Sequence, residues 1–323
     1  MGEYSNYITL NNGLNMPLIG LGTFQSNRSA METALKIGYR LIDTAFIYQN
    51  EKEIGEALKH SFDTNVVRRE DVFIVSKLPN NGHRNVKYFL QKSLDALQLQ
   101  YLDLYLIHTP FAVKGNHDLD MYPVENGRLV IDEDVNYLET WKKMEEVVRL
   151  GMTKSIGLSN FNRDQIEKIY NNSRIKPANV QVECHPYLPQ VEIYKFCQEN
   201  NVSMTAYSPL GAPFLPEFSL KNFGIMVKDF PILLDEPVVK TISEKYGKSP
   251  AQIILRFLVQ KRIAVIPKSC NETRLRENLQ ILDFSLLEED MENLGNIKKR
   301  FRYYKFNFIP GLTEHPQNPF SET

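Results

Sequence analysis

A short β-branched run, a polar turn and an amphipathic helical stretch succeed one another eight times along this chain, and that alternation limits its possible folds more than any other feature. The runs are LIGLGTF (18–24), RLIDTA (40–45), VFIVSKL (72–78), LDLYLIH (102–108), SIGLSN (155–160), NVQVECH (179–185), VSMTAYSP (202–209) and IAVIPKS (263–269). Several are apolar on successive residues, as strands covered on both faces tend to be. Between them, Val86, Phe89, Leu90, Leu94 and Leu97 share one helical face, as do Leu138, Trp141, Met144 and Val148, with Gly151 placed to end the second helix. Alternating units of this kind require a parallel sheet with right-handed crossovers. Eight of them predict an α/β fold of one closed (β/α)8 TIM barrel. The alternative, an open Rossmann-type sheet, lacks its fingerprint: Gly20 and Gly22 are followed by Thr23-Phe24-Gln25. No Walker loop, GxSxG elbow or HExxH helix is present either. Upstream, ITLNNGLNMPLIG sets two apolar arms around Asn12-Gly13, the signal of an N-terminal hairpin expected to plug the barrel bottom.

The 323 residues would fit two average domains, but barrels of about 250 residues count as one, so 1–323 reads as a single domain with a tail from 300 to 323. With 38 basic against 39 acidic side chains and a pI near 6.6, nucleic-acid binding is not expected. No run approaches the roughly 18 apolar residues of a membrane span. Cys184, Cys197 and Cys270 are odd in number and form no CxxC pair, which fits a reduced chain. The start, MGEYSNYITLNNG, shows no signal peptide, so a cytoplasmic location is expected. The four Asn-x-Ser/Thr triplets at Asn27, Asn171, Asn201 and Asn271 are then chance occurrences.

Three segments fall outside the repeat: 111–136, 210–234 and the aromatic, proline-rich tail from Arg300. The first two follow strands four and seven, which puts them on the C-terminal face of a barrel, where active sites lie. Loops of this length are read as pocket walls. The tail, without helical period, is equally compatible with a pocket wall and with a loose arm.

Polar residues at C-terminal strand ends are the catalytic candidates of such a fold. Strand two ends at Asp43, with Tyr48 five residues on; strand three ends at Lys77 and strand four at His108. Strand five delivers Ser159 and Asn160, and strand six Gln181 and Glu183. Each alone has an ordinary structural reading, as a cap, packing group or solvated charge. Lys77, however, closes an apolar run, and a buried amine needs a partner such as Asp43. An acid, a phenol, an amine and an imidazole thus meet on one rim.

Six motifs in order resemble those of the aldo-keto reductases: GLGTF (20–24), LIDTAFIYQNEKEIGEAL (41–58), SKL (76–78), LIH (106–108), GLSNF (157–161) and IPKSCNETRLREN (266–278). The resemblance runs along almost the whole chain. It implies hydride transfer from NADPH to a carbonyl carbon by a catalytic tetrad of Asp43, Tyr48, Lys77 and His108, with Tyr48 giving the proton. A phenol of pKa near 10 is a poor acid at neutral pH, so a Lys77 ammonium is expected to favour the phenolate and strengthen the donor. Asp43 would hold Lys77, and His108 would orient the carbonyl.

The same resemblance implies a cofactor site of Thr23, Phe24, Asp43, Ser159, Asn160, Gln181, Tyr207, Ser208, Leu210, Lys268, Ser269, Asn271, Arg274, Glu277 and Asn278. Ser159, Asn160 and Gln181 would bond the nicotinamide carboxamide and Tyr207 would stack on its ring. Lys268 and Arg274 would take the 2′-phosphate that distinguishes NADPH. Phe24, Ile47, Tyr48, Pro79, His108 and Thr109 would line the substrate pocket, completed by the two long loops and by Phe306, Phe308 and Ile309. Aldose-reductase-like members often place tryptophans where this chain has Phe24, Pro79 and Thr109, while its one tryptophan, Trp141, falls on a helical core stripe. A monomer acting on a bulky small-molecule carbonyl follows, such as a steroid ketone; the chain is similar to insect members, some of which reduce 3-dehydroecdysteroids. Two other readings stay open: a dinucleotide-binding regulatory or structural protein on this fold, and a hydrolase using Asp43 and Glu183.

Overall fold

Gly22 lets the first barrel strand close against the last: a Cβ there would come within 2.7 Å of the Ile266 carbonyl oxygen, backbone that cannot yield. The computed structural model, which describes residues 6–224, 226, 229–306 and 311–320, shows that closure directly. Its elements begin with an antiparallel hairpin of β1 (Tyr7–Thr9) and β2 (Asn15–Pro17). The barrel strands follow as β3 (Leu21–Gly22), β4 (Leu41–Asp43), β5 (Phe73–Leu78) and β6 (Leu104–Ile107). A two-stranded insert, β7 (Val124–Glu125) and β8 (Arg128–Leu129), precedes β9 (Ile156–Ser159), β10 (Asn179–Glu183), β11 (Ser203–Tyr207) and β12 (Ala264–Val265).

The eight barrel strands pair in parallel in chain order, from β3 to β12. A parallel bridge from Ile19 to Val265 and the bond from the Gly20 amide to the Val265 carbonyl (2.8 Å) join the two ends of the series. The helices lie outside: α1 (Arg28–Ile37), α2 (Glu51–Asp63), α3 (Val86–Leu97), α4 (Tyr137–Arg149), α5 (Arg163–Asn172) and α6 (Val191–Glu199). Between β11 and β12 come α7 (Leu215–Phe223), α8 (Pro237–Tyr246) and α9 (Pro250–Gln260), and after β12 α10 (Glu272–Leu279) and α11 (Glu288–Gly295). The expected face of α3 is the buried one, with Val86, Phe89, Leu90, Leu94 and Leu97; on α4 Trp141 and Met144 are buried, while Leu138 and Val148 are half-buried against the same core. Trp141 is 2% exposed and donates to the Ile175 carbonyl, a core residue as read from its stripe.

The N-terminal hairpin turns at Gly13 (φ +87°) and buries Leu10 and Met16. Its Asn11 and Asn12 amides donate to the carbonyls of Pro177 and Lys154, just before β10 and β9, so it covers the barrel's N-terminal end. Asn27 and Asn271, which begin two of the glycosylation-like triplets, cap α1 and α10 instead, each accepting a backbone N–H.

Two long segments are more structured than expected. Within 111–136, β7 and β8 pair across Asn126-Gly127, both at positive φ. That dipeptide is a strong hairpin signal, outweighed in the sequence reading by the polarity around it. Within 210–234, α7 forms with Pro216 in its first turn and Gly224 at its C-cap (φ +66°). The tail is docked where described: Tyr303, Leu312 and His315 are buried, and Phe111, Val113, Leu129 and Leu312 form a second apolar cluster with Phe306 packed on it. Phe308 and Ile309 lie outside the described residues. No helix among the described residues is long and apolar enough to cross a membrane.

Candidate active site

Asp43 ends β4 and Lys77 lies near the end of the neighbouring β5, both pointing into a barrel where neither reaches solvent: their side chains are 2% and 0% exposed. Two isolated charges would not survive there, so each is matched. The Lys77 Nζ donates to Asp43 Oδ1 at 2.5 Å and to the Thr44 carbonyl at 2.8 Å. The other carboxylate oxygen of Asp43 accepts from Gln181 Nε2 at 2.7 Å, which draws in β10 from across the barrel. Burial lowers the Lys77 pKa while Asp43 opposes that shift.

Tyr48 stands above this pair, at the end of a single 3-10 turn (Phe46–Tyr48). Lys77 Nζ is 5.2 Å from its ring centroid. His108 meets the same ring edge-on at 5.9 Å and Phe24 at 5.3 Å. The acid, amine, phenol and imidazole named from strand ends are therefore brought together. The electrostatics correct one expectation. Burial, followed by the negative charge of Asp43, pushes the Tyr48 phenol above its usual range. The Lys77 charge, paired with Asp43 at contact distance, does not reverse this. The phenol is thus held in its protonated form.

Burial first, and then the positive Lys77, hold the His108 pKa well below its ordinary value. A neutral imidazole keeps one N–H to donate. Its Nδ1 is buried without a partner among the described residues. Beside it, Asn160 adopts a left-handed conformation (φ +62°), which asparagine tolerates, and its Nδ2 donates to the His108 carbonyl at 2.8 Å. Tyr207 donates to Asn160 Oδ1 at 2.7 Å. Ser159, Asn160 and Gln181 are all buried at adjoining strand ends, with Gln181 in register beside Ser159.

The remaining sites sort by position. Thr23 is fully buried and its hydroxyl donates to the Asp43 carbonyl. Phe24 meets Phe214 and Phe218 as well as Tyr48, so α7 contributes to the same wall. Thr109 is 2% exposed and turns its hydroxyl onto Asn80 at 2.7 Å; Pro79 is also buried, and Ile47 is half-buried. Ser208 and Leu210 lie on the turn leaving β11, the former at φ +46°. Lys268 and Arg274 are exposed and in no ion pair with a described residue, while Ser269 and Asn278 are buried and Glu277 is half-buried. Asn271 spends its side chain on the Arg274 amide at the start of α10.

Two further residues belong to the site. Glu51 is buried under Lys77's strand, accepting from Ser76 Oγ at 2.5 Å; burial raises its pKa against the pull of Ser76, Ser93 and Lys77. In sequence it is an ordinary first-turn acid of α2. Tyr122, from the 111–136 segment, reaches Asn80, and burial raises its phenol to about 12. Nothing in its polar sequence neighbourhood marks it. Asp43 accepts from Lys77 and Gln181, and Glu183 from the Tyr303 and Tyr304 amides, which counts against a hydrolase built on these two carboxylates.

The chain is similar to known proteins in sequence and in fold. The aldo/keto reductase family model matches residues 19–299. The chain belongs to the aldo/keto reductase family. The aldo-keto reductase family 1 member A1 of Xenopus tropicalis is 44% identical over 335 positions, covering 100% of this chain and 99% of that one. Its counterpart from Homo sapiens is 41% identical over 332 positions, covering 98% of each. Among solved structures, the aldose reductase from Schistosoma japonicum superposes with a TM-score of 0.88 at 39% identity, covering 98% of this chain and 99% of that one. The (β/α)8 fold of this aldo/keto reductase is thereby shared with a solved relative, and membership supports carbonyl reduction in general.

Proposed function

We propose that this protein reduces aldehydes or ketones to alcohols with NADPH, using Tyr48 as proton donor. The observation that carries the reading is the buried Asp43–Lys77 pair, with Lys77 Nζ 5.2 Å from the Tyr48 ring centroid and His108 edge-on to the same ring at 5.9 Å. A substrate carbonyl oxygen seated between Tyr48 and His108 would accept from both. Those donors are set before the substrate arrives, so they stabilise developing charge on oxygen without reorganising. Tyr48 would then release its proton to that oxygen, and the adjacent Lys77 would offset the phenolate left behind. Asp43 would keep the amine in place through that change of charge.

The residues present fit the cofactor. Two exposed cations without ion-pair partners among the described residues, Lys268 and Arg274, sit at the head of α10, an arrangement suited to a phosphate dianion. Ser159, Asn160 and Gln181 would hold a carboxamide, and Tyr207 would carry the nicotinamide ring. Thr23, Ser208, Leu210, Ser269, Asn271, Glu277 and Asn278 would line the rest of its length. NADPH, when bound, supplies the hydride. We propose a monomer as the working unit.

For the substrate we infer a bulky carbonyl compound, with a steroid ketone such as a 3-dehydroecdysteroid as its most specific form. Positions 79 and 109 carry buried Pro79 and Thr109 in place of large aromatic rings, which supports a roomier pocket. Tyr48→Phe is the direct test of the reading: NADPH affinity by fluorescence titration should be nearly unchanged while reduction of a simple aldehyde is largely lost. Substantial retained turnover would remove Tyr48 as the donor. Binding of NADPH by the parent protein without any turnover would favour a regulatory dinucleotide-binding role.

A further inference from the structure

Glu183 ends β10 with a carboxylate that has no exposed surface, and the reaction described above leaves it no part. Its oxygens accept from the backbone amides of Tyr303 at 2.7 Å and Tyr304 at 3.0 Å, and face Nε2 of the fully buried His185 at 2.9 Å. A buried carboxylate is tolerated only when donors replace its lost water, and two of the three here come from the tail, 120 residues further along. That tail stretch is in neither helix nor strand, so no backbone ladder holds it. The carboxylate substitutes for one.

What it holds bears on the site. Tyr304 meets Tyr207 edge-on at 5.7 Å, so Tyr207 is gripped between Asn160 at its hydroxyl and Tyr304 at its ring. Tyr303 donates its hydroxyl to the Pro231 carbonyl at 2.7 Å and packs on Phe230 and Phe301, each with centroids 4.9 Å away. Glu183 and Tyr207 are themselves paired in register on β10 and β11. One carboxylate thus seats the segment that joins the tail, the 210–234 segment and the ring proposed to carry the nicotinamide.

We propose that Glu183 is a positioning residue of the reduction site: by anchoring the Tyr303 and Tyr304 amides it sets the pocket wall beside Tyr207 and so the preference for bulky carbonyl substrates. This rests on the reductase reading. Glu183→Gln keeps the shape but offers one amide oxygen and turns an N–H toward the second backbone donor, so only one tail bond survives.

The test uses the full-length protein. Hydrogen exchange of the 301–306 segment in Glu183→Gln should accelerate at least tenfold. The ratio of kcat/KM for a steroid ketone to that for propanal should fall about tenfold, because only the large substrate reaches the wall. Tyr304→Ala, which leaves the anchor intact, should shift the ratio in the same direction, and the double variant should add little. A folded Glu183→Gln protein with the parent ratio would overturn the proposal, whether or not exchange accelerates. If that variant does not fold, an unchanged ratio in Tyr304→Ala overturns it instead. A parent protein that turns over neither compound would sink the reductase reading itself, and the positioning role with it.

Discussion

Replacing Asp43 by asparagine removes one charge and almost no volume, which isolates the electrostatics of the site from its packing. Lys77 would be left fully buried without its countercharge, keeping the Thr44 carbonyl and at most the variant's single amide oxygen as acceptors among the described residues. Glu51 compensates poorly, since burial pushes it toward its neutral form. Asparagine also cannot accept from both Lys77 and Gln181, which now share the carboxylate. Breaking a buried pair from one side costs about 3–5 kcal/mol. Shedding the lysine proton sets a ceiling: from an ordinary lysine pKa of about 10.4 down to pH 7, at about 1.36 kcal/mol per unit, the cost is at most about 4.6 kcal/mol. A loss of about 3–4 kcal/mol at pH 7 is therefore expected. Its pH dependence has a definite sign. A folded state with neutral Lys77 binds one proton fewer than the unfolded chain, so the variant gains stability as pH rises toward the ordinary lysine value. Between pH 7 and 9 the gap to the parent should shrink by up to about 2.7 kcal/mol. Urea unfolding followed by the single buried Trp141 and by far-UV circular dichroism, at pH 7, 8 and 9, measures this. A loss below about 1 kcal/mol, or a gap that does not narrow as pH rises, would refute the account of Lys77 as a buried ammonium held by Asp43.

Three other outcomes are expected. Replacing Lys268 and Arg274 together by alanine should weaken NADPH about a hundredfold, at about 1.5 kcal/mol for each charge-assisted bond, while NADH loses far less; equal losses would show that neither reads the 2′-phosphate. Since burial and Lys77 hold His108 neutral, kcat/KM for reduction should show no inflection near pH 6.5, and a clear one there would contradict that assignment. Gly211 has φ +77° and a Cβ there would lie 2.8 Å from the Tyr303 hydroxyl, so Gly211→Ala should destabilise by about 1–3 kcal/mol and raise KM by displacing the tail; thermal unfolding and steady-state kinetics unchanged from the parent would count against that contact.

How much of the site could be read beforehand follows from where each residue gets its partners. Asp43, Lys77 and His108 stood out because each interrupts an apolar run at a strand end, and a parallel barrel puts all such ends on one rim. Glu51 and Tyr122 did not, because their partners lie on other elements: Ser76 on β5 for one, Asn80 after it for the other. The small hairpin at Asn126-Gly127 and the helix opened by Pro216 carried local signals that the surrounding polarity masked. Tyr48 was legible as a member of the site, yet the direction of its pKa shift was not. That direction depends on burial and on how fully Asp43 cancels Lys77, neither of which is a property of local sequence.

The sequence by itself determined the alternation of β and α units, and with it the barrel, the rim and the residues on that rim. Periodicity and strand-end chemistry are local, so they survive without coordinates. Only the tertiary structure decided what those residues are bonded to. It joins Gln181 to Asp43 across the barrel, closes β3 on β12 where glycine leaves room, and brings the tail back to Glu183. Each of these links residues more than a hundred positions apart, and distance and burial, which set their energies, exist only once the chain has folded.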